Sequence, residues 1–402
     1  MVSSQGKSTR PPRQRALRVL GTSVTLLESL RRCAEADLGM AIEYQVLTGF
    51  DAQRQAVIEP GSFDVYDQWF HSIDYLWPTG ALQAIDTDRI AHWNEINALP
   101  RSGRLAPGAR YGRGCNPVTR LYVQADGTLG DTPSGRISML PLTHNADSFA
   151  YLPAELSRLI GDVTESWAWL VSPRCEGRVA LQADAAIGAL DVALALQASG
   201  EMRFDDIGNL SIEEIDGMIE LLIAKKKMGL FAGFWGDCAE AASLMARKRV
   251  AIQSNWSPAA DDYVRVGLDC RIASPAEGYR AWYGGQGISS RLQGPMLDAA
   301  YRYLNWWLSG RAGAVMARQG FYIANPERSR AYLGEAEWDY WYGGQPARED
   351  LPGTGGNILV RRGSVRDGGS YERRMSRVAV WNTVMDEHNY LVRKWTEFMR
   401  TD

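Results

Sequence analysis

The sequence has few of the residues that usually mark a metal site or a disulfide framework. Its 402 residues include only four histidines, and no two of them lie three or four positions apart. A histidine-based metal site is therefore not expected. The five cysteines show no C-x-x-C spacing, which argues against a zinc ribbon or a thioredoxin-like site. We expect neither a metal nor a cofactor, and the cysteine pairing stays open.

The chain also lacks a basic excess and long apolar runs. Its formal net charge is -3, whereas a nucleic-acid binder usually carries a basic domain. No run approaches the 18 or more consecutive apolar residues of a membrane helix. The start, MVSSQGKSTRPPRQRAL, is basic and polar without the apolar region of a secretory signal. An export signal is therefore not visible in this chain.

The residues that are present describe a globular protein of two or three domains. Hydrophobic residues make up 45% and charged residues 23%, as in ordinary soluble proteins. The 14 Trp and 17 Tyr outnumber the nine Phe. Trp and Tyr combine a large flat face with a polar group, so they suit ligand clefts as well as cores.

Hydrophobic periodicity predicts two α/β units. The first has strands at 17–20, 42–46 and 63–66, with a helix capped by Thr22 or Ser23 and a helix at 51–58. After an irregular stretch at 99–137, strand character resumes at 137–142, and a second α/β run starts near Trp167. Its predicted elements are strands at 178–181 and 250–252, helices at 185–197, 211–227, 296–319 and 378–399, and a loop at 343–371. Ligands of open α/β sheets lie beyond the carboxyl ends of the strands, so the crevice between two such units is the expected binding site.

The segment SWAWLVSPRCEGRVALQADA, residues 166–185, carries a family resemblance. It resembles the W-x-x-L-x-x-P-x-x-x-G-x-[LIV]-x-[LIV]-x-D signature of family 1 extracellular solute-binding proteins, and within that family it looks closest to the spermidine/putrescine-binding branch. The run GSFDVYDQW at 61–69, and the stretch 299–321 that ends in Gln-Gly-Phe, fit the same family. The resemblance covers roughly residues 17–325.

This resemblance implies an α/β protein with the type II periplasmic-binding fold. Two lobes would be joined by two hinge crossings and would close on a ligand. By that match residues 1–16 form an arm, lobe 1 comprises 17–147 plus 283–322, and lobe 2 comprises 148–282 plus 323–402. The implied protein is a periplasmic monomer without enzymatic activity, and its partners are the permease and the ATPase of an ABC importer.

Seven segments at strand ends are predicted to face the crevice: 21–25, 67–71, 143–147, 184–187, 234–237, 253–257 and 282–286. Within them the predicted ligand-binding residues are Thr22, Ser23, Trp69, Phe70, His144, Asp184, Trp235, Asp237, Asn255, Trp256, Trp282 and Tyr283. By the resemblance Trp282 matches the aromatic-box tryptophan of polyamine binders, and Asp184 matches a carboxylate that binds ammonium. Two further acids of that branch fall on Ile187 and Gly284, which puts spermidine or putrescine in doubt.

Charge favours a cationic or zwitterionic amine as the ligand. The seven segments contain Asp67, Asp147, Asp184 and Asp237 but no Lys or Arg, and anionic ligands normally need arginine forks or helix N-termini. Backbone amides at 284–287 could still bind a small organic acid or another anion, so that alternative stays open.

Structural roles compete with these ligand roles. Asp184 could simply cap a helix, Trp235 could be core, His71 and His144 could be hydrogen-bonded structural residues, and Asp237 with Glu240 could start a solvated helix. An enzyme on a two-lobed scaffold is a further alternative, although no G-x-S-x-G, P-loop or H-E-x-x-H motif is present. A ferric-ion binder would need clustered tyrosines in the cleft, and Tyr340 and Tyr342 lie outside the predicted cleft segments.

Overall fold

The computed structural model describes residues 15–247, 249–256 and 260–401, except for the side chains of residues 260, 261 and 265. Most of the predicted N-terminal arm, 1–14, and position 257 of the predicted cleft lie outside the described residues. The strands, in chain order, are β1 Leu17–Gly21, β2 Ile42–Val46, β3 Val65–Trp69, β4 Leu82–Gln83, β5 Ile85–Asp86, β6 Arg113–Gly114, β7 Tyr122–Val123, β8 Leu129–Gly130, β9 Arg136–Ile137, β10 Leu140–Asp147, β11 Phe149–Tyr151, β12 Val179–Gln182, β13 Phe231–Trp235, β14 Ile252–Ser254, β15 Arg271–Ile272, β16 Tyr279–Ser289, β17 Tyr322–Ile323, β18 Leu351–Pro352, β19 Ile358–Val360 and β20 Val378–Trp381.

The α-helices, in chain order, are α1 Glu28–Leu38, α2 Gly49–Ile58, α3 Ile73–Leu76, α4 Ala98–Ser102, α5 Pro153–Ile160, α6 Ala185–Ser199, α7 Ile212–Lys227, α8 Cys238–Ala246, α9 Ala260–Arg265, α10 Gly294–Trp307, α11 Arg311–Ala317, α12 Pro326–Arg330, α13 Glu335–Trp341, α14 Tyr371–Met375 and α15 His388–Arg400. Several begin where the sequence predicts. Ser211 forms a capping box with Glu214 at the start of α7, because its hydroxyl oxygen accepts a bond from a backbone N–H that has no partner within the helix.

Three predicted helices are wrong in extent. Helix α1 begins at Glu28 behind Leu27, which provides no side-chain cap, so neither Thr22 nor Ser23 caps it. The predicted helix 296–319 is two helices, because Gly310 has a φ of 112° that a helix cannot continue through. The predicted helix 378–399 begins as strand β20, and α15 starts only at His388.

Lobe 1 is built on a nine-stranded sheet. Its central order is β17-β10-β16-β3-β1-β2, with β4, β6 and β20 attached at the side. Strands β1, β2 and β3 are parallel, whereas β16 runs antiparallel to both β3 and β10. The long strand β16 therefore brings residues from the hinge into the middle of the sheet.

Lobe 2 is built on a five-stranded sheet in the order β13-β12-β14-β11-β15. Strands β13, β12 and β14 are parallel, so their carboxyl ends meet at one edge. Helix α6 is apolar around most of its circumference apart from Asp191, and ten of its fifteen residues are buried, as expected of a helix enclosed by other elements. The two sheets confirm the predicted two-lobed α/β architecture.

The chain passes between the lobes three times, whereas two crossings were predicted. Ser148 alone separates β10 of lobe 1 from β11 of lobe 2, residues 273–278 connect β15 to β16, and residues 382–387 connect β20 to α15. The lobe boundaries also differ from the sequence prediction. Most of the buried hydrophobic residues between 321 and 381 pack into the lobe 1 core, whereas Val380 and the end of the chain, with Trp395 and Phe398, pack into the lobe 2 core. No helix in the described part of the chain is both long and apolar enough to span a membrane.

Candidate functional site

A fully buried ion pair lies where the chain crosses between the lobes. Arg280 Nε donates to Asp191 Oδ1 at 2.6 Å, and both side chains are 0% exposed. The other guanidinium nitrogens of Arg280 donate to Asn382 Oδ1 at 3.1 Å and to the Asn255 carbonyl at 2.9 Å. Asp147 Oδ2 lies 3.9 Å from the same guanidinium. One arginine therefore connects α6, both sheets and the segment that follows β20.

A cavity of about 200 Å³ lies beside this network, between the lobes. Lobe 1 contributes Asn145, Asp147 and Gln319 to its walls, and lobe 2 contributes Asn255 and Tyr263. The remaining lining residues are Val264, Leu268, Cys270, Ile272, Gly320, Tyr340, Trp341, Leu359, Val360, Val365, Arg366, Asp367 and Arg374. A concave site with apolar walls and a few convergent polar groups is what small-molecule binding requires.

Much of the cavity wall comes from a segment in which the sequence predicts no ligand contact. Residues 340–374, here called the wall segment, supply Tyr340, Trp341, Arg366, Asp367 and Arg374 to the lining. Tyr340, which lies outside the predicted cleft segments, thus lines the cavity, and so do Arg366 and Arg374, although the predicted segments contain no arginine. No local signal could identify this segment, because its long loop carries neither helix nor strand periodicity.

The two wall arginines are held mainly by carbonyl oxygens. Arg366 donates to the Trp341 and Gly320 carbonyls, the latter at 2.6 Å. Arg374 donates to the Asp367 carbonyl at 2.7 Å and to the Ala146 carbonyl at 2.5 Å. Burial lowers the pKa of Arg366, whereas nearby tyrosines and the carboxylates of Asp147 and Asp367 keep the pKa of Arg374 above its ordinary value despite its burial.

Trp282, the predicted box tryptophan, is 1% exposed and does not line the cavity. Its Nε1 donates to Asp147 Oδ2 at 3.0 Å, and its ring meets Phe321 edge-on with the centroids 5.5 Å apart. In the antiparallel register Trp282 pairs with Asn145, so the two share one face of the sheet. Trp282 thus positions the cavity residue Asp147.

Two predicted tryptophans meet across the lobes. The ring of Trp69, at the end of β3, lies 6.2 Å from that of Trp256, which follows β14, in an edge-on arrangement. Both are half-buried, and the ring of His71 stacks on Trp69 at 5.7 Å. Edge-on aromatic pairs contribute about 0.5–1.5 kcal/mol beyond their buried area. This pair therefore stabilises the observed arrangement of the lobes.

A second contact across the lobes involves His388 at the start of α15. Its ring meets that of Tyr75 at 6.1 Å. Burial, together with the positive charges of His388 and Arg280 nearby, lowers the pKa of His71 to about 3. Burial also lowers the pKa of His388, partly offset by Asp184. His71 is therefore neutral at pH 7.

Asp184 and Asp237 both cap helices and are exposed. Asp184 Oδ1 accepts from the Ala186 N–H at 2.9 Å, and Asp237 Oδ1 accepts from the Glu240 N–H at 2.8 Å. Neither residue lines the cavity. The structure therefore agrees with the capping alternative for Asp184 and the helix-start alternative for Asp237, and separates exposed Asp184 from buried Trp282.

The remaining predicted residues lie mainly in the cores. Trp235 is 1% exposed in a lobe 2 core cluster. His144 is fully buried, stacks on Tyr283 at 4.4 Å and hydrogen-bonds the Tyr371 hydroxyl through Nε2 at 2.9 Å. Phe70 meets Tyr283 edge-on at 6.0 Å in the lobe 1 core. The Thr22 hydroxyl accepts a weak bond from the Val24 N–H at 3.4 Å, and Ser23 is exposed. Of the twelve predicted residues, only Asn255 lines the cavity.

Within the described ranges, no group of three or more His, Cys, Asp or Glu is placed to hold a metal ion. Tyr263 and Tyr340 both line the cavity, but the Tyr263 hydroxyl is engaged, because it donates to Asn255 Oδ1 at 2.9 Å and accepts from Gln253 Nε2 at 3.0 Å. Burial raises the pKa of Tyr263 well above its ordinary value, which opposes the phenolate form that a ferric ion would need.

Several solved structures share this fold at low sequence identity. The spermidine/putrescine substrate-binding protein PotD of Streptococcus pneumoniae is 14% identical with a TM-score of 0.63, and the Tp0655 (TpPotD) lipoprotein of Treponema pallidum is 11% identical with a TM-score of 0.65. The binding protein MotA of A. tumefaciens B6, solved with glucopine, is 14% identical with a TM-score of 0.57. Each comparison covers 96% of this chain and 100% of the other.

No family model and no curated protein matches the sequence. Likeness at these identities concerns the fold, and it establishes that the chain has the two-lobed fold of periplasmic binding proteins. What the chain binds must be argued from its own cavity, since folds do not specify function.

Proposed function

We propose that this protein is the substrate-binding component of an ABC importer, which captures a small polar solute between its lobes and delivers it to a membrane permease and its ATPase. It acts outside the cytoplasmic membrane, as a monomer, and performs no chemistry on the solute. The single observation that carries the proposal is the cavity of about 200 Å³ whose walls come from both lobes. The structural neighbours, several of which are ABC substrate-binding proteins, support the same function.

The hinge supports capture by closure. Ser148 is the only residue between β10 and β11, so a few backbone torsions can rotate one lobe against the other. A solute that contacts Asn145 on one side and Asn255 on the other would stabilise the closed arrangement. Only a ligand with different affinities for the two states can shift that equilibrium.

The cavity also supports an amine on the solute. Asp147 and Asp367 line it, together with the aromatic residues Tyr263, Tyr340 and Trp341. Ammonium groups bind carboxylates through charge-assisted hydrogen bonds and bind ring faces through cation–π attraction. In this proposal Asp147, and not Asp184, binds the ammonium group.

A thermal-shift screen tests the function. Polyamines, opines, amino acids and organic acids are added separately, and the melting temperature is followed against ligand concentration. A ligand that binds only the folded state raises the melting temperature progressively. At a concentration of 100 times its Kd it adds about 2.7 kcal/mol to the unfolding free energy. If no compound in any class shifts the melt, the binding function is contradicted. If only organic acids shift it, the protein binds solutes but the amine is wrong.

A further inference from the structure

Arg366 differs from the other buried arginines around the cavity in the partners of its guanidinium. Arg280 is paired with Asp191 at 2.6 Å, and Arg374 lies in the electrostatic field of Asp147 and Asp367. Among the residues that the structure describes, no carboxylate lies within 4.0 Å of the Arg366 guanidinium; its described partners are the Trp341 and Gly320 carbonyls. Arg366 is 8% exposed, so bulk water compensates little of its charge.

Aromatic rings surround this guanidinium without neutralising it. Its central carbon lies 4.6 Å from the centroid of Tyr322 and 5.0 Å from that of Trp341. Cation–π attraction offsets only part of the free-energy cost of burying a charge, and buried charges are usually paired with a counter-ion. Because Arg366 lines the cavity, a ligand there can supply that counter-ion.

The surrounding geometry orients such a ligand. The Gly320 carbonyl accepts both from Arg366 Nη2 at 2.6 Å and from Asn145 Nδ2 at 3.2 Å, so the guanidinium and the amide lie at the same end of the cavity. Asp147 lies two residues further along β10 on the same face, about 7 Å away at the usual rise of a strand. The cavity thus presents the Arg366 guanidinium near Asn145 and the Asp147 carboxylate further along the same strand.

We propose that the solute is zwitterionic, with a carboxylate that binds Arg366 and an amine directed toward Asp147. This inference rests on the proposed function and refines the class of its ligand. A guanidinium presents several N–H donors in a rigid plane that matches a carboxylate. A diamine would place an ammonium against Arg366, and a dicarboxylate would place its second acid near Asp147.

Three compounds of equal length test the charge pattern: 5-aminopentanoate, 1,5-diaminopentane and glutarate. They are added to the full chain alongside the amino acids of the thermal-shift screen, and Kd values are measured by calorimetry for each compound that shifts the melt. We expect compounds with both charges to give the largest shifts. A diamine, polyamine or dicarboxylate that binds more tightly than every zwitterionic compound overturns the inference while leaving the binding function intact. If no compound of any class binds, both proposals fail.

Variants at Arg366 then test the residue. In Arg366→Gln the Kd for the best zwitterion should rise about 30-fold or more, because the partner of a buried charge is lost. Arg366→Lys keeps the charge and should raise the Kd less. Arg348→Gln, in the same segment but 61% exposed and paired with Asp339, is the matched control and should bind as the wild type does. An unchanged Kd in Arg366→Gln overturns the inference. If that variant does not fold, the comparison of Arg366→Lys with wild type and the three compounds decides.

Discussion

Arg280 and Asp191 form a hydrogen-bonded ion pair of 2.6 Å with both side chains fully buried. Asp191 lies in the middle of α6 in lobe 2, whereas Arg280 is the second residue of β16, the long strand of the lobe 1 sheet. Burial raises the pKa of Asp191 to about 6 even with the guanidinium beside it. Neither residue of the pair lines the cavity, so its disruption should affect the fold before it affects the ligand.

Breaking the pair should destabilise the protein strongly. Arg280→Met leaves the Asp191 carboxylate buried without its partner, which costs about 3–5 kcal/mol of unfolding free energy. The double variant Arg280→Met with Asp191→Leu removes both charges and should recover part of that loss. Urea denaturation followed by tryptophan fluorescence measures each variant.

The exposed pair of Arg361 with Asp350 provides the control. Arg361→Met should change the unfolding free energy by less than about 1 kcal/mol, since exposed ion pairs contribute little. If the double variant loses as much unfolding free energy as Arg280→Met and Asp191→Leu lose in sum, Arg280 and Asp191 are not coupled.

The contact of Trp69 with Trp256 should contribute to ligand affinity through lobe closure. Trp256→Ala removes an aromatic pair of about 0.5–1.5 kcal/mol from the closed state only, so the Kd of the bound solute should rise up to about tenfold. Faster dissociation should account for most of the change, and stopped-flow fluorescence measures it.

Trp77→Ala is the matched control for this prediction. Trp77 is half-buried and donates to the Gly127 carbonyl at 2.9 Å, away from the cavity lining. Its loss should leave the Kd unchanged. Equal effects of the two substitutions on the Kd would contradict a role of Trp256 in closure.

Asp67 should make stability depend on pH. Its carboxylate accepts from the Thr25 hydroxyl at 2.6 Å and from Gln286 Nε2 at 2.7 Å, and burial raises its pKa from 3.8 to about 6. Because the folded state binds this proton more tightly than the unfolded state, the stability from Asp67 is fully present below about pH 4. It falls by about 3 kcal/mol as the pH rises through 6.

Asp67→Asn removes this titration. The unfolding free energy of the wild type minus that of the variant should therefore decrease by about 3 kcal/mol as the pH rises from 4 to 7. Chemical denaturation at several pH values measures the difference. A difference that stays constant across this range is inconsistent with a raised pKa of Asp67.

Two helix glycines should respond in opposite directions to alanine. A Cβ on Gly188 of α6 would come within 2.6 Å of the Trp395 ring of α15 and would also strike the Gln182 carbonyl. Gly188→Ala should therefore destabilise the protein by about 1–3 kcal/mol. A Cβ on Gly217 of α7 would meet only the Met202 methyl, at 3.4 Å.

Gly217→Ala should stabilise the protein by about 0.5–1 kcal/mol, because alanine loses less backbone entropy than glycine in a helix. Differential scanning calorimetry compares both variants with wild type. If Gly188→Ala proves neutral, the close packing of α15 on α6 is not present in solution.

The sequence by itself determined the elements whose signals are local. Strand β2 and helix α7 follow from hydrophobic periodicity, and the capping box of Ser211 and the cap of Asp184 follow from residue type at a helix start. Two α/β runs in succession predicted the two lobes, because each run must bury its own sheet.

Only the tertiary structure decided which side chains surround the cavity. The sequence does not distinguish Trp256, which meets Trp69 across the lobes, from Trp235, which lies in a core, because both lie at or just beyond the carboxyl ends of lobe 2 strands. Arg366 lies in a long loop and reaches the Gly320 carbonyl 46 positions earlier in the chain. Such contacts depend on how elements that are distant in the sequence pack together, and local periodicity does not predict that packing.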